Sequence, residues 1–147
     1  MKLRIIFCVF LLLSFSCEKS SADVEFPDNS SNDEVDNTGN EEPDYSILFI
    51  GNSLTYYNDL PNLVKNIAFQ NNIIIATKTI AIGNYALIDH WDDGFIQIQI
   101  ESGKFDYVVI QQGPSSQDYG RDLLFEAGDL ISDLCRSHNA KLAFYMV

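Results

Sequence analysis

Four short apolar runs in the second part of the chain alternate with stretches of helical periodicity. The apolar runs predict buried strands at residues 46–50, 73–82, 107–110 and 141–147. The stretches between them predict a helix with Asp59 as its N-cap that ends at Asn71, one or two short helices in 86–100, and an amphipathic helix over 123–137. Such alternation favours parallel strands joined by right-handed crossovers. We therefore predict a three-layer α/β/α domain with a parallel sheet over residues 45–147.

Residues 1–17 have the pattern of an export signal. Lys2 and Arg4 precede nine consecutive apolar residues, too few for a membrane span, which needs about 20. Small residues then lead into Cys17, and this ending resembles a bacterial lipoprotein signal. The resemblance implies an exported protein anchored in a bacterial membrane, at the outer membrane or cell surface, by lipid on Cys17. The alternative is a plain signal peptide with an incidental cysteine.

Residues 18–44 predict an acidic, disordered tether. They hold ten acidic residues and one basic residue, and they contain too few apolar side chains to form a core. This segment accounts for most of the chain's net charge of −12. A calcium loop is disfavoured, because the acids lack the alternation and the glycine of such loops. The whole chain has 9 Lys+Arg against 21 Asp+Glu, which argues against nucleic-acid binding.

Cys135 is the one cysteine of the predicted domain, since Cys8 and Cys17 belong to the signal. It follows an apolar helical stripe, so we interpret it as a buried structural thiol rather than a nucleophile. The domain then depends on its core alone, without an internal disulfide.

Three loops should meet at the carboxyl edge of the predicted sheet, where such folds bind ligands. They cover residues 51–58, 83–89 and 111–118 and are rich in Gly, Ser, Asn and Gln. In the first, Gly51 permits a tight turn and the close approach of a substrate, and Ser53 lies between a strand end and the positive end of a helix. Backbone N–H groups after Ser53 would face a developing oxyanion.

The segment ILFIGNSLT, at residues 47–55, resembles the first block of the SGNH (GDSL-like) hydrolases. The resemblance implies a flavodoxin-like fold, ester hydrolysis and Ser53 as the nucleophile. Gly83 matches the second-block glycine, whose N–H helps form the oxyanion hole. Gly113 matches the third-block glycine, but Ser115 occupies the position of that block's asparagine. The side chain of Gln111, Gln112 or Ser115 is then the expected oxyanion donor.

The family's fourth block, Asp-x-x-His, is absent from this sequence. The resemblance covers about the first half of the family's domain, so we expect an incomplete domain with little or no activity. His138 should lie on the amino edge of the sheet, a strand length of about 17–20 Å from Ser53. His90 should lie on the carboxyl edge as a surface or helix-capping residue, a substrate contact or a substitute base.

Aromatic and acidic side chains also accompany these loops. Tyr56 and Trp91 are candidate substrate contacts that would stack on sugar rings, and partial burial is the alternative. Three acids at 89, 92 and 93 indicate a solvated patch rather than metal ligands. The implied chemistry needs no metal and no organic cofactor.

The sequence supports three functional hypotheses. The first is a lipid-anchored SGNH-type serine hydrolase acting on small-molecule or glycan esters, including O-acylated carbohydrate. The second is a non-catalytic surface lipoprotein that binds glycans at the same edge. The third is an incomplete chain that folds poorly, because its fourth strand would lack a covering helix.

Overall fold

The computed structural model describes residues 42–147. The predicted signal, Cys17 and nearly all of the acidic tether lie outside these residues. The strands are β1 (Tyr45–Gly51), β2 (Ile75–Ala81), β3 (Tyr107–Ile110) and β4 (Lys141–Phe144). The helices are α1 (Ser53–Tyr56), α2 (Leu60–Phe69), α3 (Leu87–Asp92), α4 (Phe95–Glu101) and α5 (Asp118–Ser137). None of the helices within 42–147 is both long and apolar enough to cross a membrane.

The four strands form one parallel sheet in the order β2-β1-β3-β4. The chain passes from β1 to β2 on one side and then returns to β3 on the other side of β1. This change of direction creates a crevice between the carboxyl ends of β1 and β3. The order agrees with a flavodoxin-like sheet over these four strands, and the predicted three-layer α/β architecture is confirmed.

The main core lies on the face of the sheet covered by α3, α4 and α5. Alternate residues of β1 and β3 point toward these helices, as the two-residue period of a strand requires. The buried set comprises Leu48, Ile50, Leu87, Ile96, Ile100, Val108, Ile110, Leu124, Ala127, Ile131, Cys135 and Ala140. Helix α2 packs on β2, on the other face of the sheet. On that face, Ala68 lines the same cavity as the alternate strand residues Ile47 and Val109.

One helix start differs from the sequence prediction. Helix α5 begins at Asp118, five residues before the predicted start, because its first turn is polar and carries no apolar period. An Asp118–Arg121 ion pair supports that turn, and Gly120 lies so close to Pro114 that a Cβ there would be 2.0 Å from its carbonyl oxygen. Asp59 occupies the predicted N-cap position of α2, but its side chain caps no backbone N–H and accepts from Asn62 instead.

Cys135 is buried as predicted, with 1% of its surface exposed. Burial raises the pKa of its thiol to about 11, because the charged thiolate is poorly solvated there. The thiol is therefore neutral at physiological pH, and a structural role is supported.

Truncation of Ile131 should destabilise the domain strongly. Its side chain is fully buried in the core, so Ile131→Ala removes apolar contacts and leaves a cavity. We expect a loss of about 2–5 kcal/mol in the free energy of unfolding, measured by urea denaturation. The neighbouring Leu130, which is 39% exposed, provides the control, and Leu130→Ala should cost less than about 1 kcal/mol. Equal losses for the two variants would contradict the assigned core face of α5.

Candidate functional site

The three predicted edge loops do come together at the carboxyl ends of β1, β2 and β3. Backbone and side-chain hydrogen bonds link them directly: Asn52 Nδ2 donates to Tyr85 O at 3.1 Å, and Leu87 N donates to Gln112 Oε1 at 2.8 Å. Ser53 follows β1, and Gln111 follows β3. The candidate site therefore lies at the crevice where the strand order reverses.

The peptide unit that joins Gly51 to Asn52 is held by side chains of other elements. Its N–H donates to Gln111 Oε1 at 3.0 Å, and the same oxygen accepts from Thr55 Oγ1 at 3.0 Å. A Cβ at Gly51 would lie 2.4 Å from Thr55 Oγ1 and 2.7 Å from Gln111 Oε1. The glycine is thus needed for the close approach of the protein's own side chains, whereas close approach of a substrate stays a prediction.

Ser53 is the first residue of the four-residue helix α1 and is half-buried. Asn52 caps this helix: its Oδ1 accepts from Leu54 N at 3.2 Å, and its carbonyl accepts from Thr55 N at 2.9 Å. Since Asn52 is also bonded to the Tyr85 loop, the turn that carries Ser53 is fixed from both sides.

Gln112 and Ser115, two of the predicted oxyanion donors, make hydrogen bonds within the fold. The Gln112 amide accepts from Leu87 N and donates to Gly113 O, so it connects the end of β3 to the start of α3. The Ser115 hydroxyl donates to Val147 O at 2.8 Å. Their assignment as oxyanion donors stays a prediction, and these bonds would have to be exchanged for it to hold.

Gln111 differs from these two because its Nε2 is buried and lacks a partner within residues 42–147. Gly113 lies next to this nitrogen, since a Cβ there would be 3.1 Å from Nε2 and 2.7 Å from Leu54 Cδ1. A buried donor without a partner is costly, by about 1–3 kcal/mol. Among the three predicted side chains, Gln111 is therefore the one whose donor is unpartnered within 42–147, and its role as an oxyanion donor stays a prediction.

Gly83 lies at the start of the second loop, and Tyr56 reaches over it. A Cβ at Gly83 would be 3.2 Å from the Tyr56 hydroxyl oxygen. Tyr56 is 48% exposed, whereas Trp91 is partly buried and packs on the core. For Trp91 the partial burial considered in the sequence interpretation is present. Substrate contact by either residue stays a prediction.

His90 is buried rather than on the surface, so the interpretation as a surface or capping histidine is wrong. Its Nε2 lies 2.7 Å from the carbonyl oxygen of Gly51, which also accepts from Ile82 N at 3.2 Å. A carbonyl only accepts, so Nε2 carries the proton. Burial lowers the pKa of His90, and the bond to Gly51 and the charges of Asp93 and Asp89 oppose this only in part. The ring is therefore neutral at pH 7.

An open cleft of about 430 Å³ adjoins Gly83. It is lined by Gly83, Asn84, Tyr85, Asp89, Asp92 and Asp93. The charge of Asp93, more than any other influence, raises the pKa of the Tyr85 hydroxyl, which stays protonated and able to donate. The three acids are exposed, and within 42–147 no group of three or more His, Cys, Asp or Glu side chains is arranged to hold a metal.

His138 lies at the opposite edge of the sheet, as predicted. It occupies the C-cap of α5, just before β4 begins, and its Nδ1 is 3.0 Å from Leu134 O. The histidine therefore belongs to the end of a helix and not to the edge that carries Ser53.

Sequence reasoning missed three contributors to this site: Asn52, Thr55 and Tyr85. The four residues of α1 are too few to show a helical period, so the cap role of Asn52 was not visible. Thr55 is 1% exposed and contacts a side chain 56 positions away in the sequence. An N-cap asparagine directly before Ser53 was the one available signal.

Loss of the Gln111 side-chain amide should destabilise the site loops. Gln111→Leu leaves the buried Asn52 N–H and Thr55 hydroxyl without their acceptor, so we expect a cost of about 1–3 kcal/mol in unfolding free energy. Urea denaturation measures it, and Gln117→Leu, at an exposed position, is the matched control with a change within about 0.5 kcal/mol. If both variants have wild-type stability, Gln111 does not anchor the β1 turn.

A scan against protein-family models and a search of curated proteins found no match to this chain. The residues and their geometry therefore carry the functional assignment. The parallel α/β fold, the turn that bears Ser53 and the buried Gln111 are the observations on which any functional proposal depends.

Proposed function

We propose that this chain is an SGNH-type serine hydrolase domain that acts on ester bonds through Ser53. The observation that carries the proposal is the position of Ser53. It begins α1 one residue after the central strand β1, at the sheet crevice, and the intervening residue Asn52 donates its N–H to the buried amide of Gln111. Strand-to-helix turns of this kind present a serine hydroxyl at a ligand-binding edge.

The proposed reaction is acyl transfer to Ser53 followed by hydrolysis. The Ser53 hydroxyl gives its proton to a base while its oxygen bonds to the ester carbonyl carbon. The alcohol then leaves with a proton, and water releases the acid from the acyl-serine. Donors for the intermediate oxyanion are the N–H groups of Ser53 and Gly83 together with a side-chain amide. Gln111 is the favoured side chain, because its Nε2 has no partner among residues 42–147.

The surroundings of Gly83 support the substrate class that we propose. The exposed Tyr56 and the cleft beside Tyr85 offer aromatic and hydrogen-bonding surface of the kind that sugar rings contact. We propose an O-acylated carbohydrate or a small ester. The proposed cellular setting is a bacterial membrane surface, with the protein anchored by lipid on Cys17.

No residue within 42–147 is assigned as the general base of this reaction. The sequence has no Asp-x-x-His, Nε2 of His90 donates to Gly51, and His138 lies at the far edge of the sheet. Loss of triad members leaves only residual catalysis from binding and the oxyanion hole. We therefore expect hydrolysis of p-nitrophenyl acetate by this chain to be near the uncatalysed rate.

Imidazole added to the solution should restore part of the activity. It supplies a base that diffuses to Ser53, and since a positioned base contributes about 10²–10⁴-fold, we expect a rise of about tenfold that saturates with imidazole concentration. The measurement is p-nitrophenol release by the full chain against imidazole. Imidazole alone also cleaves the ester, so the relevant rate is the excess over Ser53→Ala at the same imidazole concentration.

The matched control is Ser116→Ala, because Ser116 is an exposed serine on the same side of the sheet and should be irrelevant. We expect it to retain the full imidazole-dependent rate. Equal rates for the wild-type chain and Ser53→Ala at every imidazole concentration would refute a nucleophilic Ser53.

A second candidate function is glycan binding without catalysis. It is favoured because Nε2 of His90 donates to the Gly51 carbonyl and so cannot act as a base. The cleft beside Gly83 does not depend on that nitrogen being a base. A glycan array probed with the wild-type chain and Ser53→Ala separates the two. Equal glycan binding by both, together with no Ser53-dependent hydrolysis, would support the binding protein.

A further inference from the structure

The carbonyl of Gly51 is the meeting point of three elements. It ends β1, accepts from Ile82 N beyond the end of β2 at 3.2 Å, and accepts from His90 Nε2 of α3 at 2.7 Å. The N–H on the other side of the same peptide unit donates to Gln111 Oε1. Because a peptide unit is planar, fixing its C=O and its N–H fixes the orientation of the whole unit. Ser53 lies two residues after Gly51 in the chain.

His90 is placed to fix the orientation of this peptide unit through its hydrogen bond to the Gly51 carbonyl. Its ring is 2% exposed and lies on the same buried face of α3 as Leu87. The Tyr85 ring packs against it with 5.0 Å between ring centroids. An N–H···O distance of 2.7 Å is at the short end of the usual range, and a buried bond of this kind is not exchanged for water. The hydrogen bond to the Gly51 carbonyl thus explains why the polar ring of His90 lies on the buried face of α3.

We propose that His90 is a positioning residue, whose Nε2–H donates to the Gly51 carbonyl and so orients the peptide unit that presents Ser53. The effect on reactivity rests on the proposed function of Ser53, whereas the effect on the turn does not. His90 acts on the nucleophile through the backbone, and it is neither the base nor a substrate contact. Its neutral imidazole suits this task, because a neutral ring with the proton on Nε2 satisfies the carbonyl without burying a charge.

The first test is the tautomer of His90. Long-range ¹H–¹⁵N spectra of the full chain at pH 7 distinguish a protonated from an unprotonated ring nitrogen. We expect the proton on Nε2. An unprotonated Nε2 would overturn the proposal, because that nitrogen would then be unable to donate to a carbonyl.

The second test compares two amides at position 90. In His90→Gln the side-chain nitrogen is the same number of bonds from Cα as His Nε2, so it keeps the donor. In His90→Asn the nitrogen is one bond closer and falls short of Gly51. The Asn52 amide belongs to the peptide unit whose carbonyl accepts from His90. Loss of the His90–Gly51 hydrogen bond should therefore speed hydrogen exchange at the Asn52 amide by about tenfold in His90→Asn, and not in His90→Gln. The amides of β3 should exchange as in the wild type, which separates a local effect from general destabilisation.

The third test measures Ser53 reactivity in the same variants, as the imidazole-supported ester hydrolysis in excess over Ser53→Ala. A misplacement on the order of 1 Å costs up to about 10²-fold, so we expect a loss of about tenfold or more in His90→Asn and near wild-type rates in His90→Gln. If His90→Asn does not fold, His90→Phe, which keeps an aromatic ring of similar shape without the donor, takes its place.

The outcomes separate the two proposals. Faster exchange at Asn52 in His90→Asn, without Ser53-dependent hydrolysis in the wild type, supports the positioning role and refutes the hydrolase. Ser53-dependent hydrolysis that His90→Asn leaves unchanged, with unchanged exchange at Asn52, supports the hydrolase and overturns the positioning role. Equal losses in His90→Gln and His90→Asn would also overturn it, since the donor would then be irrelevant.

Discussion

Strand β1 pairs with β2 on one edge and with β3 on the other, and this double pairing organises the rest of the domain. Its residues from Ile47 to Gly51 are all buried. A strand paired on both edges and covered on both faces must be apolar along its length, as Ser46–Ile50 nearly is. Because both neighbours run parallel to it, the loops that follow the three strands emerge at one edge. The crevice, the turn with Ser53 and the cleft at Gly83 all result from this arrangement.

The candidate site is held together by polar side chains that are themselves buried. Gln111, Gln112, Asn52 and His90 each connect one edge loop to another. Buried polar groups of this kind stabilise only when they are paired, and when paired they define one arrangement of the loops. Among these four side chains, Gln111 is the one with a buried atom, Nε2, that has no partner within residues 42–147.

Much of the fold was predictable from the sequence, because the elements carry local signals. The strand at 107–110 agrees with β3 at both ends, and the burial of Cys135 follows from its apolar stripe. The early start of α5 was missed, since its first turn is polar and is supported by contacts with the Pro114 loop. The site was predictable as far as Ser53, Gly51 and the three loops. The roles of Thr55 and His90 were not, because their partners are 56 and 39 positions away.

The sequence by itself determined the order and type of every strand and of every helix except α1, the parallel sheet and the edge on which the polar loops gather. Those properties depend on periodicity and on the handedness of crossovers, which are local or general rules. Only the tertiary structure decided which polar side chain meets which backbone group. In the structure, His90 is a buried donor to Gly51, whereas a surface position was one of the sequence expectations. Of the three candidate donors, Gln111, and not Gln112 or Ser115, has an unpartnered N–H. Such pairings depend on distances between remote residues, and no pattern along the chain encodes them.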